Sequence, residues 1–168
     1  MHFVLVSACL LGSPVRYNGA HKRSDNEILQ RWLNEGRVVP VCPEVAGGLQ
    51  VPRPPAEVVA GAGGAKVIAG LAKVMDPHSN DLSAEFVAGA NHALQLARSK
   101  GIRMAVLKEG SPSCGSGYIY DGTFRGTKLP ERGVTTALLE GAGVKVFSEE
   151  QFSEAQMFLS GLESRDAA

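Results

Sequence analysis

HFVLVSAC, residues 2–9, decides how the rest of this chain is read. Its short, valine-rich apolar run has no polar alternation, which is the pattern of a strand buried on both faces. Such strands occur in parallel sheets covered by helices, so helical segments are expected to follow. SDNEILQRWLNEG (24–36) answers with Ile28, Leu29, Trp32 and Leu33 at helical spacing, a Ser24/Glu27 capping box and Gly36 as the stop. RVVPVC (37–42) is a second β-branched run, and its Pro40 argues for an edge position or a local irregularity rather than a clean central strand.

LSAEFVAGANHALQLARSKG (82–101) is the longest helical pattern, with Phe86, Ala90, Ala93, Leu94 and Ala97 on one face and Gly101 at its end. IRMAVL (102–107) is a third strand. A helix follows over 133–140, VKVF (144–147) is a last strand, and Ser148–Gln151 form a capping box for a last helix. Between them, 47–64 is loop-rich, KVIAG (66–70) and AKVMD (72–76) are read as short strands, and Asp121-Gly122 as the turn of a hairpin. The alternation predicts one α/β domain over 1–160, Rossmann-like, with a mostly parallel sheet and helices on both faces. Residues 161–168 are expected to be a polar, frayed tail.

Composition narrows the function. Of 168 residues, 17 are basic and 17 acidic, so no net charge favours nucleic acid or membrane surfaces. A 44% hydrophobic fraction suits a globular protein able to bury a core without staples. VSAC (6–9) superficially resembles a lipoprotein cleavage box, but MHFVLV lacks a basic n-region and is too short for a signal. With no spanning segment, the expected location is the cytoplasm.

The cysteines carry the functional signal. Cys9 and Cys42 each close an apolar run, and Cys114 sits in EGSPSCGSGYIYDG (109–122), a polar loop after the third strand. No CxxC pair occurs, which argues against zinc ribbons and thioredoxin-type chemistry. In an open parallel sheet, loops at the carboxyl ends of strands converge, so cysteines distant in sequence can share one site. Soft thiolates suit an iron–sulfur cluster, zinc or copper(I). Zinc needs a fourth ligand, and none of His2, His21, His78 or His92 falls at a strand end. The residues alone leave open a shared metal site, a reactive-cysteine hydrolase using Cys114, and buried, inert thiols at Cys9 and Cys42.

SACLLGSPVRYNG (7–19), VVPVCPEVAGGLQVPRPPAE (38–57) and LKEGSPSCGSGYIYDGTFRG (107–126), with GVTTALL and VFSEE after them, closely resemble the bacterial thiouracil desulfidase family. The resemblance runs from about Val4 to Phe152. It implies a [4Fe-4S] cluster on Cys9, Cys42 and Cys114 and a non-redox reaction. In it the substrate sulfur binds the open iron, water attacks the carbon, and hydrogen sulfide leaves uracil or its nucleotide behind. Related proteins with an extra domain act on thiolated transfer RNA; without one here, the expected partner is a small thiopyrimidine, 2- or 4-thiouracil or 4-thiouridine monophosphate. The resemblance supports Glu44 as acid/base and Ser111 as the second catalytic group. Ser113, Asn18, Arg16, Ser13 and Lys108 are the expected substrate contacts, arginine suiting phosphate and asparagine a pyrimidine edge. Asp121 is assigned to turn chemistry, Asp81 to a helix cap, and Glu57 to a loop ion pair. The competing class is a non-catalytic cluster- or metal-binding sulfur carrier or sensor. The sequence does not specify an oligomeric state.

Overall fold

The computed structural model describes all 168 residues. Its centre is a four-stranded, all-parallel sheet. Strands β1 (Val4–Ser7) and β5 (Met104–Leu107) are fully buried, as an uninterrupted apolar run requires. They are flanked by β2 (Val38–Val41) and β8 (Lys145–Ser148) in the order β2-β1-β5-β8. Pro40 lies on β2, opposite Val6, at the sheet edge, where its missing N–H costs no ladder bond.

Alternate residues of each strand serve opposite cores. Leu5, Ala105 and Leu107 pack with Ala93, Leu94 and Ala97 of α4 (Ser83–Ser99) and Leu139 of α5 (Val134–Gly141). Val4, Val6, Met104 and Val106 pack on Leu29 and Trp32 of α1 (Glu27–Asn34) and Phe152, Ala155 and Leu159 of α6 (Phe152–Asp166). Trp32 also satisfies its indole N–H on Gln156 Oε1 at 2.8 Å, tying α1 to α6. Helices cover both faces, as the sequence predicts.

A smaller subassembly covers the carboxyl side. Here β3 (Glu57–Val58) pairs with β4 (Val74–Met75) and β6 (Ile119–Tyr120) with β7 (Lys128–Leu129), both antiparallel. AKVMD therefore does contain a strand, but KVIAG does not: Gly64–Ile68 is the short helix α3, with Val67 buried beneath Phe86 and Val134. The hairpin at Asp121-Gly122 exists, with a longer loop than a two-residue turn. Another short helix, α2 (Pro43–Ala46), is pressed against α4. A Cβ on Gly89 would come within 1.9 Å of the Pro43 carbonyl oxygen, and one on Gly47 within 2.0 Å of that of Glu85. Only glycine permits this approach, which sets α2 at the end of β2.

Three terminal readings need correction. Asn26, not Ser24, caps α1 by accepting from Ile28 N at 2.9 Å, because Ser24 Oγ is engaged by Asn26 N. Likewise α6 starts at Phe152 and Ser148 remains in β8, although capping-box contacts form in the turn before the helix: Ser148 Oγ accepts from Glu150 N, and Gln151 Oε1 from Ser148 N at 3.0 Å. Residues 161–168 are not a frayed tail, since α6 continues to Asp166 with Leu162 buried and Asp166 meeting His2 Nε2 at 2.6 Å. No helix is long and apolar enough to cross a membrane.

Candidate active site

Each cysteine leaves the sheet at a carboxyl end. Cys9 lies in the 3-10 turn Ala8–Leu11 directly after β1, closed by Gly12 at φ 98°. Cys42 is the residue between β2 and α2, and Cys114 is in the loop after β5. Because β1 is the neighbour of both β2 and β5, the three thiols line one cavity of about 710 Å³. All three are free.

The Cys114 loop is tightly built. The Glu109 carboxylate accepts from Ser116 N at 2.8 Å and Gly117 N at 3.1 Å, folding the loop around itself. Thr136 Oγ1 donates to the Cys114 carbonyl at 2.9 Å, and Thr135 shares a 2.7 Å bond with Ser113 Oγ. Ser7 Oγ accepts from Lys108 N at 2.9 Å, which leaves its proton to point at Cys114 Sγ, 3.9 Å away.

Burial raises the pKa of all three thiols. Cys9 is pushed up to about 11, first by burial and then by neighbouring Cys42. Cys42 is also raised, mainly by burial. Burial and then the charge of Glu44 raise Cys114 further still. Three neutral thiols on one wall become good ligands only when a cationic group displaces their protons. No three His, Cys, Asp or Glu side chains converge closely enough to grip one metal ion. Three soft thiols on one cavity are the ligand chemistry of an iron–sulfur cluster, in which each thiolate takes a different iron.

A carboxylate lines the same cavity as the thiols. Glu44, in the first turn of α2, accepts from Ser111 Oγ at 3.2 Å on Oε1 and ion-pairs through Oε2 with Arg53. Ser111 Oγ in turn accepts from Ser113 N at 3.0 Å and Cys114 N at 3.1 Å. A carboxylate, a hydroxyl and the backbone of Cys114 thus share one bonded network at the cavity.

The remaining expected residues divide. Arg16 and Lys108 line the cavity. Lys108 Nζ is held by Glu149 at 2.7 Å and the Glu109 carbonyl at 3.0 Å. Ser113, expected as a substrate contact, is buried with its hydroxyl on Thr135 and lies outside the cavity lining. Asn18 is exposed and closes its own turn by accepting from Ala20 N, and Ser13 also lies outside the lining. Both belong to the loop that carries Arg16 rather than to the wall itself. Asp121 bonds Thr123 within its turn, and Asp81 accepts from Ser83 N at the start of α4, as expected. Glu57 makes no ion pair; its Oε1 accepts from Gly122 N at 2.9 Å and Phe124 N at 3.2 Å, anchoring the hairpin over the cavity.

Sequence reasoning missed Arg53, Lys22 and the aromatic wall of Tyr118, Tyr120 and Phe124. VPRPP offers no periodicity or motif around Arg53, only a lone arginine among prolines. Phe124 is a bulky residue at φ 57°, a conformation that no side-chain pattern announces.

Comparison with known proteins bears on this site. A family model described as 2-thiouracil desulfurase matches residues 4–151. An uncharacterized protein of Bacillus subtilis strain 168, YbbK, is 42% identical over 151 residues, covering 90% of this chain and 98% of that protein. A solved structure described as a [4Fe-4S]-dependent thiouracil desulfidase, TudS, is 48% identical with a TM-score of 0.87, covering 95% of this chain and 99% of that one.

Proposed function

The chain belongs to the 2-thiouracil desulfurase family, enzymes acting on a carbon–sulfur bond, and from that premise we propose that it hydrolyses a thiolated uracil to uracil and hydrogen sulfide with a [4Fe-4S] cluster on Cys9, Cys42 and Cys114. The observation that carries the reading is the convergence of three thiols, Glu44 and Ser111 on one cavity. When bound, the cluster supplies a Lewis-acidic iron for the thiocarbonyl sulfur.

The protein's own groups do the rest. Glu44 takes a proton from water as the carbon–oxygen bond forms and gives it to sulfur; the second water proton passes from the new hydroxyl to sulfur as the carbonyl forms and the carbon–sulfur bond breaks. One water is consumed and one hydrogen sulfide released, with no net electron transfer. Ser111 donates to Glu44 and keeps one carboxylate oxygen oriented. Tyr118, Tyr120 and Phe124 supply apolar faces for a pyrimidine ring.

A mononucleotide is favoured over the free base. Arg16 and Lys22 line the cavity, and no carboxylate pairs with either, so both are available to a phosphate. Free thiols fit a reducing, cytoplasmic setting.

The test is anaerobic reconstitution, iron and sulfide analysis, and sulfide release from 2-thiouracil, 4-thiouracil and 4-thiouridine monophosphate. Release from 4-thiouridine monophosphate at the lowest KM is expected. A protein loaded with iron that releases sulfide from none of the three refutes the substrate assignment.

A further inference from the structure

The proton of Ser111 has one acceptor available. Its oxygen already accepts from two backbone N–H groups, Ser113 and Cys114, so its single O–H goes to Glu44 Oε1. That hydroxyl fixes one end of the carboxylate, and a different part of the chain fixes the other. Arg53 ion-pairs with Oε2, and its side chain is only 8% exposed.

Two further guanidinium donors of Arg53 go to backbone carbonyls. Nη1 donates to the Gln50 carbonyl at 3.0 Å and Nη2 to that of Val15 at 3.2 Å. The Arg53 amide donates to the Tyr17 carbonyl at 2.7 Å. One guanidinium therefore joins α2, its own Pro-flanked segment and the loop that carries Arg16. A planar fork can hold three such partners at fixed angles; an ammonium cannot.

We propose that Arg53 is a positioning residue for desulfuration: it clamps Glu44 against Ser111 and registers that carboxylate to the loop bearing Arg16. The proposal rests on the reading of Glu44 as the base. Displacing a base by about 1 Å costs roughly 100-fold in rate, so the clamp is expected to show in kcat more than in KM. Three of the five N–H donors of Arg53 are engaged by Glu44 and backbone carbonyls. Because Arg53 also lines the cavity, the split between kcat and KM is what separates a clamp from a direct substrate contact.

The experiment compares reconstituted Arg53→Met, Arg53→Lys, Glu44→Gln and the Glu44→Gln/Arg53→Met double variant. Iron content, visible absorption, kcat and KM are read for each on one thiouracil. For Arg53→Met, wild-type iron content, kcat down about 100-fold and KM within about threefold are expected, with partial rescue by added guanidinium. Arg53→Lys, which keeps the charge in case the methionine variant fails to fold, is expected at a kcat about tenfold down. Because both residues act through one carboxylate, the double variant should be no slower than Glu44→Gln. Wild-type kcat in Arg53→Lys or Arg53→Met beside an inactive Glu44→Gln overturns the clamp alone. A raised KM at unchanged kcat makes Arg53 a substrate contact, and lost iron makes it structural; either overturns the proposal. A fully active Glu44→Gln overturns the reading of Glu44 on which the proposal stands.

Discussion

Two loops leave neighbouring strands of the sheet, and they are built in opposite ways. The loop after β5 is bonded internally at nearly every turn: Glu109 gathers the amides of residues 116 and 117, while Thr135 and Thr136 pin Ser113 and Cys114 from α5. The loop after β1 is more exposed, has Asn18 as the side chain that closes its turn, and is tied to the body mainly by Arg53. On the proposed reading, a cofactor ligand needs a position set before binding, which the internal bonds of the Cys114 loop and the 3-10 turn around Cys9 provide. Arg16 and Lys22, farther along the exposed loop, instead need access to meet a substrate.

Breaking a thiol tests whether the two loops serve one centre. Cys9→Ser and Cys114→Ser are each expected to lose the iron absorption and all sulfide release. If the wild-type protein holds no iron, Cys9→Ser keeps sulfide release and only Cys114→Ser abolishes it, the loops are not joined by a shared cofactor and a metal-free cysteine hydrolase becomes the better account. The next largest effect sharpens the division between holding a cofactor and meeting a substrate. Arg16→Ala and Lys22→Ala should each raise KM for 4-thiouridine monophosphate about tenfold. KM for 4-thiouracil should hardly move, and an equal rise for both would remove the phosphate role.

The contrast in rigidity is measurable as stability. Glu109→Ala frees several backbone donors and should cost about 2–3 kcal/mol in urea unfolding, along with faster iron loss. Asn18→Ala, in the other loop, should stay within about 0.5 kcal/mol. Equal costs would show that the loops are equally braced. The smallest effect is the pH dependence of the apo-protein. Free thiols ionise near 9.0, and the folded Cys9 near about 11, so an unfolded chain sheds protons in that window while the folded one retains them. Stability is therefore fully present below pH 9 and lost as pH rises through about 11. A Cys9→Ser variant should show a shallower loss of urea midpoint between about pH 8 and 10.5.

The sheet was legible because its evidence is local and redundant. VLV and MAVL are uninterrupted apolar runs that call for burial, and the missing N–H of Pro40 leaves an edge or an irregularity, of which the structure has the edge. KVIAG misled because a five-residue apolar run supports either helix or strand, and burial of Val67 under Phe86 decided it. Among site residues, cysteines at strand ends announce themselves. Glu44 follows from its nearness to Cys42, whereas Ser113 reads the same as Ser111 until one hydroxyl is seen facing Thr135 and the other Glu44.

By itself the sequence determined the parallel α/β architecture and the meeting of three cysteines at one carboxyl edge of the sheet. Those follow from side-chain hydrophobicity and from the covalent order of strands and loops. Only the tertiary structure decided which hydroxyl reaches Glu44, that Arg53 holds it, and that an aromatic wall closes the cavity. The physical reason is range. Hydrophobic periodicity acts over a few residues, whereas the Ser111–Glu44 bond joins residues from different strand ends and the Glu57 anchor reaches a hairpin late in the chain. Such directional contacts exist only after the sheet has brought their segments within hydrogen-bond distance.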